Sequence, residues 1–261
     1  MRSTERNTGD GAPAVAVLER ALRVLSVFDL DHTELGVSEL ARRAALPKST
    51  VHRMVAEMVR LGILEQNGTR LRLGLRLFEL GQLVPRQSTL REAALPYLED
   101  LREATASAVH LAVLEGVEVV YVEILRSRDR QVLPSRVGGR MPAHATGVGK
   151  AILAFSAPEV VKARVEAGLT RCSPYTIVLP GHLSRELHAI RETGVSFDRE
   201  ESAVGVVCAA APVFGANGLV QGAMSVTGRA ERLDVERMAP AVRTAALALS
   251  RVLGATPVFR A

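Results

Sequence analysis

Residues 142–155, PAHATGVGKAILAF, set His144 just ahead of Gly147, Gly149 and Lys150 and then run on into an apolar stretch of helical character. Glycines where a loop becomes a helix leave backbone N–H groups free beside the positive end of the helix dipole, and that combination suits an anion. A phosphate loop, G-x-x-x-x-G-K-[ST], would use it for nucleotides. Here His144 occupies the first glycine position and Ala151 the magnesium-binding one, so the motif fails at both ends. A dinucleotide fingerprint fails as well, for want of a third glycine and of a strand clearly feeding the turn. Nucleophilic chemistry would pair Cys208 with His144, as in a Cys/His-dependent hydrolase. It needs an activating cation and an oxyanion donor pair, yet Cys208 sits in VVCAAAP with no local charge. The histidines show no H-x-x-x-H or similar metal spacing, and Cys172 and Cys208 are too few for a thiolate metal site. No enzyme activity, metal or cofactor is expected, and the loop reads as a binder of a small carboxylate, with Lys150 supporting the loop or the helix surface.

A second chemistry lies further upstream. Between residues 36 and 76 stand Arg42, Arg43, Lys48, Arg53, Arg60, Arg70, Arg72 and Arg76 against Glu39, Glu57 and Glu65, an excess equal to the whole chain's net charge of +5. Such a local field attracts polyanions and points to nucleic acid.

The elements that carry those charges follow from periodicity. Residues 14–28 repeat Leu18, Ala21, Leu22 and Leu25 at helical spacing, and Val37, Leu40, Ala41 and Ala44 imply a short second helix. A third opens at Pro47, placed here in its first turn, and carries Val51, Met54, Val55 and Met58 as a core stripe. Its other face presents Lys48, Ser49, His52 and Arg53, with Thr50 near the start. Two helices joined by a tight turn through Ala45 and Leu46 make a helix-turn-helix whose second helix enters the major groove. Arg and Lys bond guanine edges or phosphates, and Ser and Thr at a helix start bond phosphates. Asn67-Gly68 then signals a hairpin, a wing that lays Arg70 and Arg72 along the phosphate backbone or into the minor groove, with Arg42 as a further expected DNA contact.

Further along, Pro85 interrupts a helical path, residues 109–124 read as two strands hinged at Glu115-Gly116, and residues 205–228 as two more turning at 216–218. Helices are expected at about 147–166, 182–193 and 231–253, with Gly254 as a C-cap. Hairpins with blocks of helix between them indicate an α+β fold, an antiparallel sheet packed with helices.

LERALRVLSVF, GVSELARRAALPKSTVHRMVAEMVRLGILEQ and RLRLGLRLFELG resemble, in order and spacing, the N-terminal winged helix-turn-helix of IclR-type transcriptional regulators. HLAVLEGVEVVYVEIL, VGGRMPAHATGVGKAILAF and GVSFDREESAVGVVCAAAPVFGANGLVQGAMSVTG are similar to that family's effector-binding domain, and the resemblance spans residues 14–254. It implies a GAF-like sensor fold in which Thr146, Gly147, Val148, Asp198, Val206, Cys208, Ser225 and Thr227 contact the effector, with His144 at the rim. Several members carry Ser where Thr227 stands, which keeps a hydroxyl and alters the pocket's shape. It also implies a homodimer joined through the first helix, paired into a dimer of dimers, and repression of a nearby metabolic operon through a double-stranded operator. An architectural DNA-binding protein without an effector is the competing reading.

Aromatic residues are 3% of the chain and Trp is absent, so a short carboxylic or hydroxy acid fits the expected pocket better than a large stacked ring. No apolar run approaches the roughly 18 residues that cross a bilayer, and the start of the chain lacks a secretory core. A cytoplasmic protein without a membrane partner is expected. The expected division is a disordered tail at 1–13, a DNA-binding domain at 14–75, a helical linker at 76–88 and an effector domain at 89–256.

Overall fold

The computed structural model describes residues 12–29, 31–127 and 133–254. The chain forms two compact units that meet in sequence at Pro85. The first contains α1 (Ala12–Leu25), α2 (Val37–Arg43), α3 (Lys48–Arg60), β1 (Leu64–Asn67), β2 (Arg70–Leu73) and α4 (Leu75–Gln82). Helix α1 takes in Ala12 and Pro13, which corrects the expected tail at those two positions; residues 1–11 lie outside the described residues. Val51, Val55 and Met58 bury one stripe of α3 against Leu40 and Ala41 of α2, Val24 of α1 and Phe28. Pro47 is the N-cap of α3 and not its first helical residue. Ala45 holds the turn at φ 53, a left-handed conformation that costs a non-glycine residue about 1–2 kcal/mol. The wing's two-residue loop is Gly68-Thr69, one residue later than expected, because Asn67 pairs with Arg70 and Gly68 takes φ 59. Leu35 bridges to Leu71 through two backbone bonds of 2.9 and 2.8 Å and so ties the wing to the start of α2.

The second unit runs α5 (Pro85–Thr105), β3 (Ala108–Glu115), β4 (Glu118–Leu125), β5 (Arg140–Pro142), a 3-10 turn (Ala143–Ala145), α6 (Gly147–Ala154), α7 (Pro158–Glu166), α8 (Pro180–Thr193), β6 (Ser196–Arg199), β7 (Val206–Phe214), β8 (Val220–Arg229) and α9 (Val235–Val252). One antiparallel sheet, in the order β5-β4-β3-β8-β7-β6, separates two layers. Strand alternation sorts the side chains. Val207, Ala209, Ala211 and Val213 of β7 pack with Leu98 of α5 and Leu249 of α9, while Ala210 packs with Val148 and Ile152 of α6 and Leu187 of α8. The helix expected at 147–166 is two helices, because α6 ends at Ala154, with Phe155 as its C-cap, and Pro158 starts α7 afresh. The last helix begins at Val235, four residues later than expected, where the Asp234 carboxylate accepts from the Arg237 N–H at 3.1 Å.

Alternation breaks once in β4. Leu111 of β3 pairs with Glu123 and Ala112 with Tyr121, so Val122 is the extra residue of a β-bulge. Tyr121 therefore stays on the α6 side, whereas Glu123 turns to the other face and takes the Arg91 Nε–H of α5 at 2.6 Å. No helix among the described residues is long and apolar enough to cross a membrane.

Candidate functional site

In the first unit Lys48, Ser49, His52 and Arg53 are exposed along one side of α3, and Thr50 is half-buried. At the helix start the Thr50 and Val51 amides donate to the Pro47 carbonyl at 3.0 and 3.1 Å, which leaves those of Lys48 and Ser49 without an intrahelical acceptor. The expected DNA contacts divide by what already holds them. Arg42 donates to Glu39 at 2.8 Å, Arg72 to Glu65 at 3.0 Å, and Arg70 to the Glu34 carbonyl at 3.2 Å. Among the described residues Lys48 and Arg53 have no ion pair, so their charges are free for phosphates or base edges.

In the second unit a cavity lies between the α6 side of the sheet and the start of α6, and encloses about 20 Å³, room for roughly one water. Thr146, Gly147 and Val148 contribute from the loop; Asp198, Val206, Cys208, Ser225 and Thr227 form the floor. The register explains the floor, since Asp198 pairs with Cys208 and Cys208 with Thr227 across three neighbouring strands. The Thr146 hydroxyl caps α6 by accepting from the Gly149 N–H at 3.1 Å, so the Gly147 and Val148 amides stay uncommitted to the helix. A Cβ on Gly147 would stand 2.4 Å from the Cys208 sulfur, a measure of how closely loop and floor meet.

His144 departs from its expected place. It is fully buried in the 3-10 turn, its Nε2 lies 3.0 Å from the Thr170 carbonyl, and it does not line the cavity. The turn directs its ring toward the segment after α7, away from the strands. Lys150 departs too, since it lies wholly inside the protein and not on a helix surface. Its ammonium donates to Glu186 of α8 at 3.1 Å and to Glu201 in the turn after β6. Burial pushes the Glu201 carboxyl up, and Lys150 pulls it back.

His110, Tyr121, Met141, Ser135 and Ser202 also face the cavity, together with Leu133 and Pro134. The apolar Val109 and Leu111 belong to the opposite face, so alternation along β3 was the available signal for His110. Ser135 lies 3.2 Å from His110 Nε2, and Thr227 and Ser225 lie 3.2 and 3.5 Å from Nδ1.

Charge in the cavity is sparse. Burial lowers His110 to about 4, so its ring is neutral at physiological pH. Burial raises Asp198, although its Oδ1 accepts from the Glu201 and Ser202 amides at 2.7 and 3.3 Å. Burial also pushes the Cys208 thiol far up, which outweighs the Gly147 and Asp198 amides that favour thiolate. A protonated thiol with no contact to His144 is a poor nucleophile. No three of His, Cys, Asp and Glu converge as a metal site among the described residues.

Two family models match the chain: the IclR helix-turn-helix domain over residues 17–68 and the bacterial transcriptional regulator IclR C-terminal domain over residues 83–251. The HTH-type transcriptional regulator XynR of Escherichia coli K12 is 33% identical over 248 residues, which cover 93% of this chain and 98% of that protein. The transcriptional repressor IclR of the same organism is 32% identical over 235 residues, covering 87% and 86%. Among solved structures, an IclR homologue from Microbacterium hydrocarbonoxydans complexed with 4-hydroxybenzoate superimposes with a TM-score of 0.83 at 35% identity, covering 91% of this chain and 98% of that one. The Thermotoga maritima IclR gives 0.74 at 29% identity over 92% of this chain and all of that one. XynR and IclR of Escherichia coli are transcriptional regulators. A DNA-binding first unit joined to an effector-binding second unit accounts for both sites described above, and the chain belongs to the IclR family of bacterial transcriptional regulators.

Proposed function

We propose that this regulator represses a metabolic operon and that a small carboxylic or hydroxy acid, held between the start of α6 and the sheet, controls its grip on the operator. The observation that carries the reading is the cavity itself: helix-start amides with no acceptor inside the helix, that of Gly147 resting on the Cys208 sulfur, stand over a floor of hydroxyls with Asp198 as its ionisable acid. Tyr121, Met141, Leu133 and Pro134 add an apolar wall that the low aromatic content concealed, and it widens the acceptable acids to ring-bearing ones such as 4-hydroxybenzoate. At about 20 Å³ the cavity admits such a molecule only if part of its lining gives way. Binding and rearrangement are then one event, and that is the condition for an effector to shift a protein between two states. A panel of these acids should raise the melting temperature, by the equivalent of about 2.7 kcal/mol at 100 times Kd, and weaken operator binding. Acids that leave both unchanged would overturn the proposal.

One winged helix covers too few base pairs to select a site in a genome, so the DNA-binding form is a dimer, paired further into a dimer of dimers. Val17, Leu18 and Leu22 support this, because they leave α1 with a largely exposed apolar stripe. Arg53→Ala should weaken operator binding by about 1–3 kcal/mol if the guanidinium reads a base, or lower the salt slope by about 1 if it meets a phosphate. Fluorescence anisotropy across a salt series separates the two and reports the stoichiometry. Unchanged affinity and slope would remove Arg53 from the interface.

A further inference from the structure

His110 sits on β3 near the middle of the sheet, 3% exposed, with its ring edge-on to Tyr121 at 5.3 Å between centroids. Three hydroxyls surround it. Ser135 Oγ is 3.2 Å from Nε2; Thr227 Oγ1 is 3.2 Å and Ser225 Oγ 3.5 Å from Nδ1; Ser225 and Thr227 are 3.3 Å apart. A neutral imidazole has one N–H and one lone pair, so protons can order along this chain in two ways. With the proton on Nε2, His110 donates to Ser135, Nδ1 accepts from Thr227, and Thr227 accepts from Ser225. The Ser135 O–H and the Ser225 oxygen then remain for a ligand. With the proton on Nδ1 every bond reverses, and the Ser225 O–H and the Ser135 oxygen remain. Both serines line the cavity, so in either order it offers one donor and one acceptor at this end.

We propose that His110 is a specificity-determining residue that, through this reversible chain of hydroxyls, selects acids carrying a neutral hydroxyl at the end remote from the carboxylate. The inference rests on the small-acid reading above. A hydroxyl both donates and accepts, so it can pair with whichever serine it meets in either order. A hydrogen atom in its place satisfies neither, and a second carboxylate satisfies only the donor. The start of α6 stands over β6 and β7, since a Cβ on Gly147 would lie 3.4 Å from the Asp198 nitrogen and 3.5 Å from the Ala210 Cβ. His110 is two strands beyond β7, about 10 Å across the sheet. A hydrogen bond of about 2.8 Å at each end leaves roughly 4.4 Å between ligand carboxylate and hydroxyl, more than a 2-hydroxy acid spans.

The test is titration of the full chain with three matched pairs: 4-hydroxybenzoate and benzoate, 4-hydroxybutanoate and butanoate, lactate and propionate. For at least one of the two longer pairs, wild type should favour the hydroxylated member by about tenfold or more, with little preference for lactate. In His110→Phe and in Ser135→Ala that ratio should fall toward one while the affinity for the hydroxyl-free acid stays within about threefold. Retention of that acid shows that each variant is folded and its cavity formed. A preference that survives both variants, or is absent from wild type, overturns this inference and leaves the small-acid reading standing. Failure of all six acids to bind wild type overturns both.

Discussion

Replacing Lys150 by methionine should lower the stability of the second unit by about 3–5 kcal/mol at neutral pH, the range for removing one partner of a buried ion pair. The side-chain volume is nearly conserved, so the loss is electrostatic. Glu186 keeps some contact with solvent, with 29% of its side chain exposed, and is partly rescued by water; Glu201, at 8%, is not. One Glu201 oxygen already lacks a partner, which leaves the carboxylate little else to lean on. The pH dependence follows from the direction of its shift. Burial raises the folded-state pKa of Glu201 above the ordinary carboxylate value even with Lys150 present, and removing the cation raises it further. An acid whose folded pKa is raised favours folding when protonated, so the deficit of the variant is smallest near the unfolded pKa and grows as pH rises through the folded one. Urea denaturation of wild type and variant at pH 5 and pH 8 measures both points. Adding Glu201→Gln to Lys150→Met should recover much of the loss at pH 8. A single-variant loss below about 1 kcal/mol there would mean that the triad is solvated and holds nothing.

The second large effect is functional. Gly147→Ala should reduce acid affinity by about 10- to 100-fold while operator binding stays intact, because the new Cβ would stand 2.4 Å from the Cys208 sulfur at the cavity's edge. Relieving such an overlap costs about 1–3 kcal/mol, and 1.4 kcal/mol is a factor of ten. Cys208→Ala removes the sulfur, so the double variant should regain affinity that the single one loses. That non-additivity is the signature of direct contact. Gly149 two residues on is a different case, since its Cβ would stand 2.2 Å from the Ala143 carbonyl oxygen and no side chain can yield. If Gly147→Ala also abolishes operator binding, the loop supports the fold and is not the effector contact proposed for it.

Much of this was legible in sequence because the signals were local. The α3 stripe, the Gly68 turn and the alternation of Val206 and Cys208 each lie within one element, and eight expected cavity residues do gather around one cavity. What escaped was set by distance and by irregularity. The partners of Lys150 lie 36 and 51 residues away, so nothing near GVGKAIL shows that its charge is buried. His144 turns toward Thr170, 26 residues on, through a single 3-10 turn too short to leave a period. The expected helix over 147–166 overran because apolar residues continue past Phe155 while the backbone breaks before Pro158. Tyr121 was passed over because EVVYVEI reads as an apolar strand, and nothing in it marks the doubled residue.

That doubled residue, Val122, keeps the cavity's recognition neutral. Past the bulge Ile124 pairs with His110 and Glu123 lies on the far face with Arg91. Were β4 regular from its turn onward, simple alternation would carry Glu123 to the cavity face, and its carboxylate would stand opposite His110. The imidazole would then hold its proton near neutral pH, and a reader of uncharged hydroxyls would become an ion pair. Register alone separates two kinds of sensor: a slip of one residue along β4, with every side chain unchanged, would alter the class of effector more than a substitution in the cavity wall.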